Sequence, residues 1–190
     1  REAPDCQLKG IYQDKNQQTA FVALQVLRNY CGVAISPNAI AEGFAKVCTL
    51  TGLRGRWEIL SNSPLTICDT GHNGHGIRDV AEQLTRMVES ATCRLRIVLG
   101  MVADKDIEVV LKLLPTTAVY YFTQPSTSRA LAAKELRDKW LFLHPQHDEN
   151  QCFDSAVAAL YAAQKDAINE DVIFIGGSNY VVGEILQLYQ

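Results

Sequence analysis

No apolar run in the chain approaches the roughly 20 residues needed to cross a bilayer as a helix. Positive charge is not in excess either. Eighteen Lys and Arg stand against 21 Asp and Glu, a net charge of −3, so the basic footprint of a nucleic-acid binder is missing. The sequence has no Gly-x-x-x-x-Gly-Lys-Ser/Thr phosphate loop, no Gly-x-Gly-x-x-Gly between a strand and a helix, and no Gly-x-Ser-x-Gly elbow. By itself it therefore cannot cradle a triphosphate in the P-loop manner. It shows no internal repeat and no low-complexity tract. Its first residues, Arg1 to Cys6, lack the apolar centre of a signal peptide. The chain begins without Met, which fits a piece of a longer protein. Six cysteines are irregularly spaced with no Cys-x-x-Cys. Most lie in apolar contexts, so they are expected to be reduced, mostly buried thiols of a cytoplasmic protein, neither a disulfide framework nor a zinc site.

What is present is a substantial core. Of 190 residues, 47% are hydrophobic, enough for one domain, or one domain plus a fragment. Ala20, Leu24, Leu27 and Cys31 recur at helical spacing from Asn16 onward. Ser36-Pro37 is a strong helix start, with Ile40, Phe44 and Val47 as the stripe. From residue 57 the pattern changes. Trp57 to Leu60 and Leu65 to Cys68 read as short strands joined by an Asn-Ser-Pro turn. Ile77, Val80, Leu84 and Val88 mark a helix, and 94–102 a buried strand. Asp104 is a plausible cap for a helix carrying Ile107, Val110, Leu111 and Leu114, which Pro115 ends. Residues 118–123 read as a strand, 128–138 as a helix and 140–143 as a shorter strand. Phe153, Val157, Leu160 and Tyr161 mark a helix, 171–177 a terminal strand, and Val182, Ile185 and Leu188 a last helix. Apolar runs without alternation predict strands covered on both faces. The expected fold is α/β, a three-layer, doubly wound, mainly parallel sheet preceded by two helices. Those two helices have no strand of their own to pack on.

The stretch Gly55 to Gly76 concentrates the groups that handle ligands. A strand ends on Asp69 and a glycine-rich loop presents His72, Asn73 and His75 before a helix begins, the position at which open α/β sheets bind ligands. Asp69 can hydrogen-bond a ribose, support a metal-bound water, or merely cap the turn. His72 and Asn73 can contact a nucleotide or simply hold the loop, and His75 reads as a loop or helix-start residue. Arg56 between a glycine and an aromatic can reach a phosphate bidentately, or can be an exposed strand-edge residue; Arg54 is a weaker version of the same idea. Asp-Lys-Asp at 104–106 suits a helix cap better than a metal or phosphate site. Gly-Gly-Ser-Asn at 176–179 reads as a structural turn, and His144 and His147 as a surface loop. Arg56 and Asp69 are expected to share one open crevice.

Several motifs together resemble a known family. They are Tyr-Gln-Asp-Lys-Asn at 12–16 with Thr-Ala following, Gly-Arg-Trp-Glu at 55–58, Ile-Cys-Asp-Thr-Gly-His-Asn-Gly-His-Gly at 67–76, Gly-Met-Val-Ala-Asp-Lys-Asp at 100–106, and Ile-Gly-Gly-Ser-Asn-Tyr-Val-Val-Gly-Glu at 175–184. In this order, across nearly the whole chain, they resemble the carboxyl-terminal part of folylpolyglutamate and dihydrofolate synthases of the Mur ligase superfamily. The resemblance implies that residues 1–52 close an ATPase domain lying upstream and that 53–190 form the Mur ligase C-terminal α/β domain. It implies that ATP lies between the two, with Asn16 on the adenine, Arg56 on the phosphates, Asp69 on the nucleotide and His72 near the ribose, and Asn73 counted among the nucleotide-binding residues. Arg56, Asp69 and His72 would serve catalysis. Magnesium ligands would belong to the missing ATPase domain. The implied reaction adds glutamate to a folate or dihydropteroate through an acyl phosphate, in a cytoplasmic monomer, with this fragment inactive alone. A stand-alone nucleotide-binding or regulatory α/β module is the alternative. The chain departs from the family at Gly71, where Ala is usual, and Gly74, where Pro is common; both glycines are expected to loosen the loop.

Overall fold

Unalternating apolar runs become buried parallel strands in the structure, a computed structural model that describes residues 2–89, 93–146 and 150–189. β1 (Glu58–Asn62), β2 (Leu65–Cys68), β3 (Leu95–Gly100), β4 (Val119–Thr123), β5 (Gln151–Phe153) and β6 (Val172–Gly176) form one sheet in the order β1-β2-β6-β3-β4-β5. Only β1, paired to β2 across the Ser63-Pro64 turn, is antiparallel. Insertion of β6 between β2 and β3 reverses the winding direction there, which opens a crevice at the carboxyl ends of those strands.

Each strand sends alternate side chains to opposite faces. Leu95, Ile97 and Leu99 join Tyr120, Phe122 and Phe174 under one helical layer, made of α4 (Gly74–Val88), α5 (Ile107–Leu113) and α6 (Ala133–Leu143). Val98, Tyr121, Ile173 and Ile175 face the other, α7 (Ala156–Asp166) and α8 (Asn179–Leu186), through Ala156, Ala159, Ala163 and Val182. The small residues of α7 let it lie close to the sheet. The three-layer, doubly wound reading holds.

The first fifty residues form a separate unit: α1 (Gln13–Tyr30), α2 (Pro37–Ala45) and a short α3 (Val47–Thr51). Ser36 caps α2 by accepting from the Ala39 amide at 3.0 Å, as its sequence suggests. This unit has a core of its own, Cys6, Phe21, Ile40 and Phe44.

Four expectations need correction. Residues 140–143 are not a strand but the last turn of α6, where Leu136 and Trp140 lie one turn apart on the buried face. Asp106, not Asp104, caps α5, accepting from Val109 at 3.4 Å, while Asp104 pairs with Arg129. His144 is half-buried at the end of α6 against Trp140; His147 lies outside the described residues. Lastly, the cysteines are all free, but only Cys6 and Cys68 are buried, and Cys31 is exposed. Burial pushes the Cys68 thiol up to about 12, which leaves it inert.

Candidate functional site

Asp69 follows β2 directly and is 1% exposed. A carboxylate so buried must be hydrogen-bonded to be tolerated, and three donors meet it. Oδ1 accepts from the Gly71 amide at 2.7 Å. Oδ2 accepts from the Trp57 amide at 2.8 Å and from the Tyr12 hydroxyl at 2.5 Å. Trp57 is the one non-glycine residue with a positive φ among the described residues, at 49°. Such backbone persists only where its surroundings hold it. Here its indole is buried beside Phe174 and its amide is held by Asp69. The strain turns Arg56 outward, exposed, into a groove of about 480 Å³ that also has Gln7, Lys9 and Arg54 on its walls. Arg54 is committed elsewhere, to Glu58 at 2.6 Å and to the Tyr189 carbonyl at 3.2 Å.

On the other side of Asp69, the loop climbs to His72. Its Nδ1 lies 2.9 Å from the Thr70 carbonyl. A carbonyl only accepts, so Nδ1 donates to it and Nε2 is the ring nitrogen left facing the cleft side of the loop. His72 lines a cleft of about 170 Å³ with Val102, Lys105, Arg129, Ser178, Asn179 and Tyr180. These come from the carboxyl ends of β2, β3, β4 and β6. Arg129 is fixed by its pair with Asp104, whose carboxyl it holds below the usual range. Ser178 caps α8 by accepting from Tyr180 at 3.2 Å. Lys105, an Arg129 whose charge is shared with Asp104, an imidazole and a capped helix start suit a carboxylate or phosphate.

The sequence-predicted residues are therefore divided. Arg56 and His72 stand in two different clefts, with the Asp69 carboxylate as the buried hub between them. The crevice expected to hold Arg56 and Asp69 together is closed at Asp69 by Tyr12, so the carboxylate meets a ligand only if Tyr12 moves. Asn73 caps α4, its Oδ1 accepting from Gly76 at 2.9 Å. His75 lies exposed in the first turn of α4, as read. Asn16 sits in the helical unit, bonded to Gln13 at 3.2 Å and lining an apolar groove of about 440 Å³ between α1 and α2. Nor do the extra glycines loosen the loop. A Cβ at Gly71 would lie 3.0 Å from Asp69 Oδ1, and one at Gly74 would lie 2.6 Å from Val109; both allow close packing. Sequence reasoning missed Tyr12, Arg129 and Tyr180. Tyr12 opens the motif at 12–16 and Tyr180 lies in that at 175–184, but neither carries a role in the site by sequence alone, and nothing local marks Arg129. No group of three or more His, Cys, Asp or Glu among the described residues could hold a metal ion, and no described helix is long and apolar enough to cross a membrane.

The family model described as "Mur ligase, glutamate ligase domain" matches residues 55–179. The Escherichia coli dihydrofolate synthase/folylpolyglutamate synthase is 32% identical over 90% of this chain and 38% of its own length. The Lacticaseibacillus casei folylpolyglutamate synthase is 27% identical over 95% of this chain and 39% of its own. The chain thus spans about two fifths of the length of these relatives. Among solved structures, E. coli FolC in complex with DHPP and ADP superposes with a TM-score of 0.73 at 30% identity, over 90% of this chain and 37% of that one. A bifunctional folylpolyglutamate synthase/dihydrofolate synthase with Mn, AMPPNP and L-glutamate bound gives 0.76 at 26% identity, over 98% and 40%.

Proposed function

The chain belongs to the Mur ligase family through its glutamate ligase domain, and on that premise we propose that it is the α/β domain of an ATP-dependent ligase adding glutamate to folate or dihydropteroate. The observation that carries this reading is the small basic cleft at the carboxyl ends of β2, β6 and β3, where His72, Lys105 and Arg129 converge on the start of α8. An amino acid with two carboxylates needs such a place. Of the relatives above, one is solved with L-glutamate and an ATP analogue bound.

In this reading the acceptor's carboxylate oxygen attacks the terminal phosphorus of ATP, releasing ADP and leaving an acyl phosphate. The glutamate amine then attacks the acyl carbon and expels phosphate. The amine attacks only as the free base, and His72, whose Nδ1 is turned to the Thr70 carbonyl, offers Nε2 to take its proton. Arg56, exposed at the domain's edge, neutralises phosphate charge. Asp69 fixes the Trp57 turn that aims Arg56 and the Gly71 turn that carries His72, so one carboxylate organises both clefts. Asn73 sets the start of α4 near the ribose and Asn16 meets the adenine. Residues 1–52 belong to the end of the ATPase domain, which supplies the phosphate loop and the magnesium ligands. The protein is a cytoplasmic monomer, and this piece alone does no chemistry.

The test has two arms. The purified 190-residue chain shows no ATP-dependent glutamate addition to dihydropteroate or folate; turnover by it would refute the fragment reading. In the longer enzyme, Arg56→Ala lowers kcat about 10²-fold or more, as loss of a transition-state contact does, and Asp69→Ala lowers it about as far by releasing the two turns that aim Arg56 and His72. Wild-type kinetics in both, with micromolar ATP binding by the 190-residue chain, would favour a nucleotide-binding or regulatory module instead.

A further inference from the structure

We propose that Tyr12 is a positioning residue: a latch that fixes the angle between the helical unit and the α/β body by closing on Asp69. The two units have separate cores. They are joined covalently through 52–57, where Gly52, Gly55 and Trp57 all have positive φ, at 68°, 72° and 49°. From Gly55 onward this connector is anchored to the body, the Gly55 carbonyl accepting from Thr70 at 2.9 Å. Gly52 and Leu53 ahead of it are exposed. That short stretch is a pivot, because glycine tolerates either sign of φ.

A pivot alone leaves the angle free. The second attachment is at the start of α1. The Ile11 amide donates to Gln83 of α4 at 2.9 Å, and Tyr12 inserts its ring against the main core and its hydroxyl onto Asp69. Gly10 makes room for this ring, since a Cβ there would lie 2.6 Å from it. The pivot's far end and the latch therefore converge on the same carboxylate oxygen, through the Trp57 amide and the Tyr12 hydroxyl. Burial, followed by the charge of Asp69, raises the Tyr12 phenol well above its usual value and keeps it a donor. The Arg56 groove lies between pivot and latch, with Lys9 on the helical side and Arg56 on the body side. Its width, and so the reach of Arg56, is set by whether Tyr12 is seated. None of this depends on what the clefts bind.

The 190-residue chain tests it by ¹⁵N relaxation, which reads the rotational diffusion of α1 and α2 against that of the sheet. The wild type yields one shared tensor. Tyr12→Phe keeps the ring and removes the hydroxyl; it yields two tensors, and exchange of the Trp57 amide speeds up roughly tenfold or more as local opening becomes easier. Gly10→Ala, which keeps the phenol but crowds its ring, shifts both readouts the same way and less far. Neither variant lowers the thermal midpoint of the sheet as far as truncating a core side chain such as Phe174 does, which separates a latch from a core contact. A single shared tensor in Tyr12→Phe, with wild-type Trp57 exchange, overturns the proposal, and since no ligand enters the measurement that outcome says nothing against the ligase reading.

Discussion

The α/β body and the helical unit use apolar residues in opposite ways. In the body the largest apolar side chains pack on its own sheet, while Ile59, Phe142, Tyr161 and Ile168 stay exposed at its surface. Trp140, Tyr120, Phe122, Phe174 and Leu99 are all fully buried, and the charged Arg96 is carried into the interior with its partner Asp171. The helical unit buries four apolar side chains in its own cluster and leaves Val22, Val26, Leu27 and Tyr30 of α1 outside, Tyr30 at 83% exposure. A helix apolar on both faces is half of a core. The body has helices on both faces of its sheet, whereas α1 leaves Val22, Val26, Leu27 and Tyr30 uncovered. That asymmetry favours reading 1–52 as the end of a neighbouring domain.

The widest gap between the two regions is expected in core truncations. Phe174→Ala removes a ring packed on Trp57 and sealed between strands, and should cost about 3–5 kcal/mol. Phe21→Ala, in the small cluster against Phe44, should cost about 1–2 kcal/mol, because so thin a core collapses readily around the gap. Urea titration followed separately by body and helical-unit amides checks both. Equal costs would mean that the regions share one core.

The same comparison explains what could be read from sequence. Residues 57–123 and 171–189 were legible because strands covered on both faces need unbroken apolar runs, and because capping residues stand at helix starts. Trp140 to Leu143 misled, since a short apolar run does not distinguish strand from helix, and Phe142 in that run turns out 85% exposed. β5 was missed because it is a three-residue edge strand with one exposed polar residue. In the site, Asp69, His72, Lys105 and Ser178 follow strand ends and could be suspected. Arg129 reaches the cleft only through the order of strands, and Tyr12 meets Asp69 across 57 residues of sequence. No spacing rule carries such contacts.

A second expected difference is in acid. Burial works to raise the Asp171 carboxyl, but the Arg94 amide, the Arg96 guanidinium and the Ile168 amide outweigh it and hold it below the ordinary 3.8. A carboxyl depressed by folding contributes stability that is present above its unfolded value and is lost as pH falls through its folded one. The body should therefore weaken below about pH 4 by way of this group, while the helical unit, which buries no carboxylate of its own among the described residues, lacks that term. Arg96→Met should cost the body about 2–3 kcal/mol at neutral pH, less than a fully stranded charge because two amides still serve Asp171. It should also flatten the acid limb. Chemical denaturation from pH 2.5 to 7 measures both, and an unchanged acid limb in the variant would remove Arg96 from the account.

The smallest effect on folding should come where the helical unit looks most hydrophobic. Val26 is 45% exposed on the outer face of α1, so Val26→Lys removes little that is buried. It replaces a β-branched residue with a better helix former. The stability of the 190-residue chain should move by no more than about 0.5 kcal/mol in either direction. Association is another matter. If the outer face of α1 is the surface by which this unit leans on a neighbour, the isolated wild-type chain should self-associate weakly through it, and a lysine at its centre should abolish this through unpaired charge and desolvation. Sedimentation over a hundredfold range of concentration reads the difference. A cost of 2 kcal/mol or more would mean instead that α1 packs on that side within the chain itself, and that the two regions are alike after all.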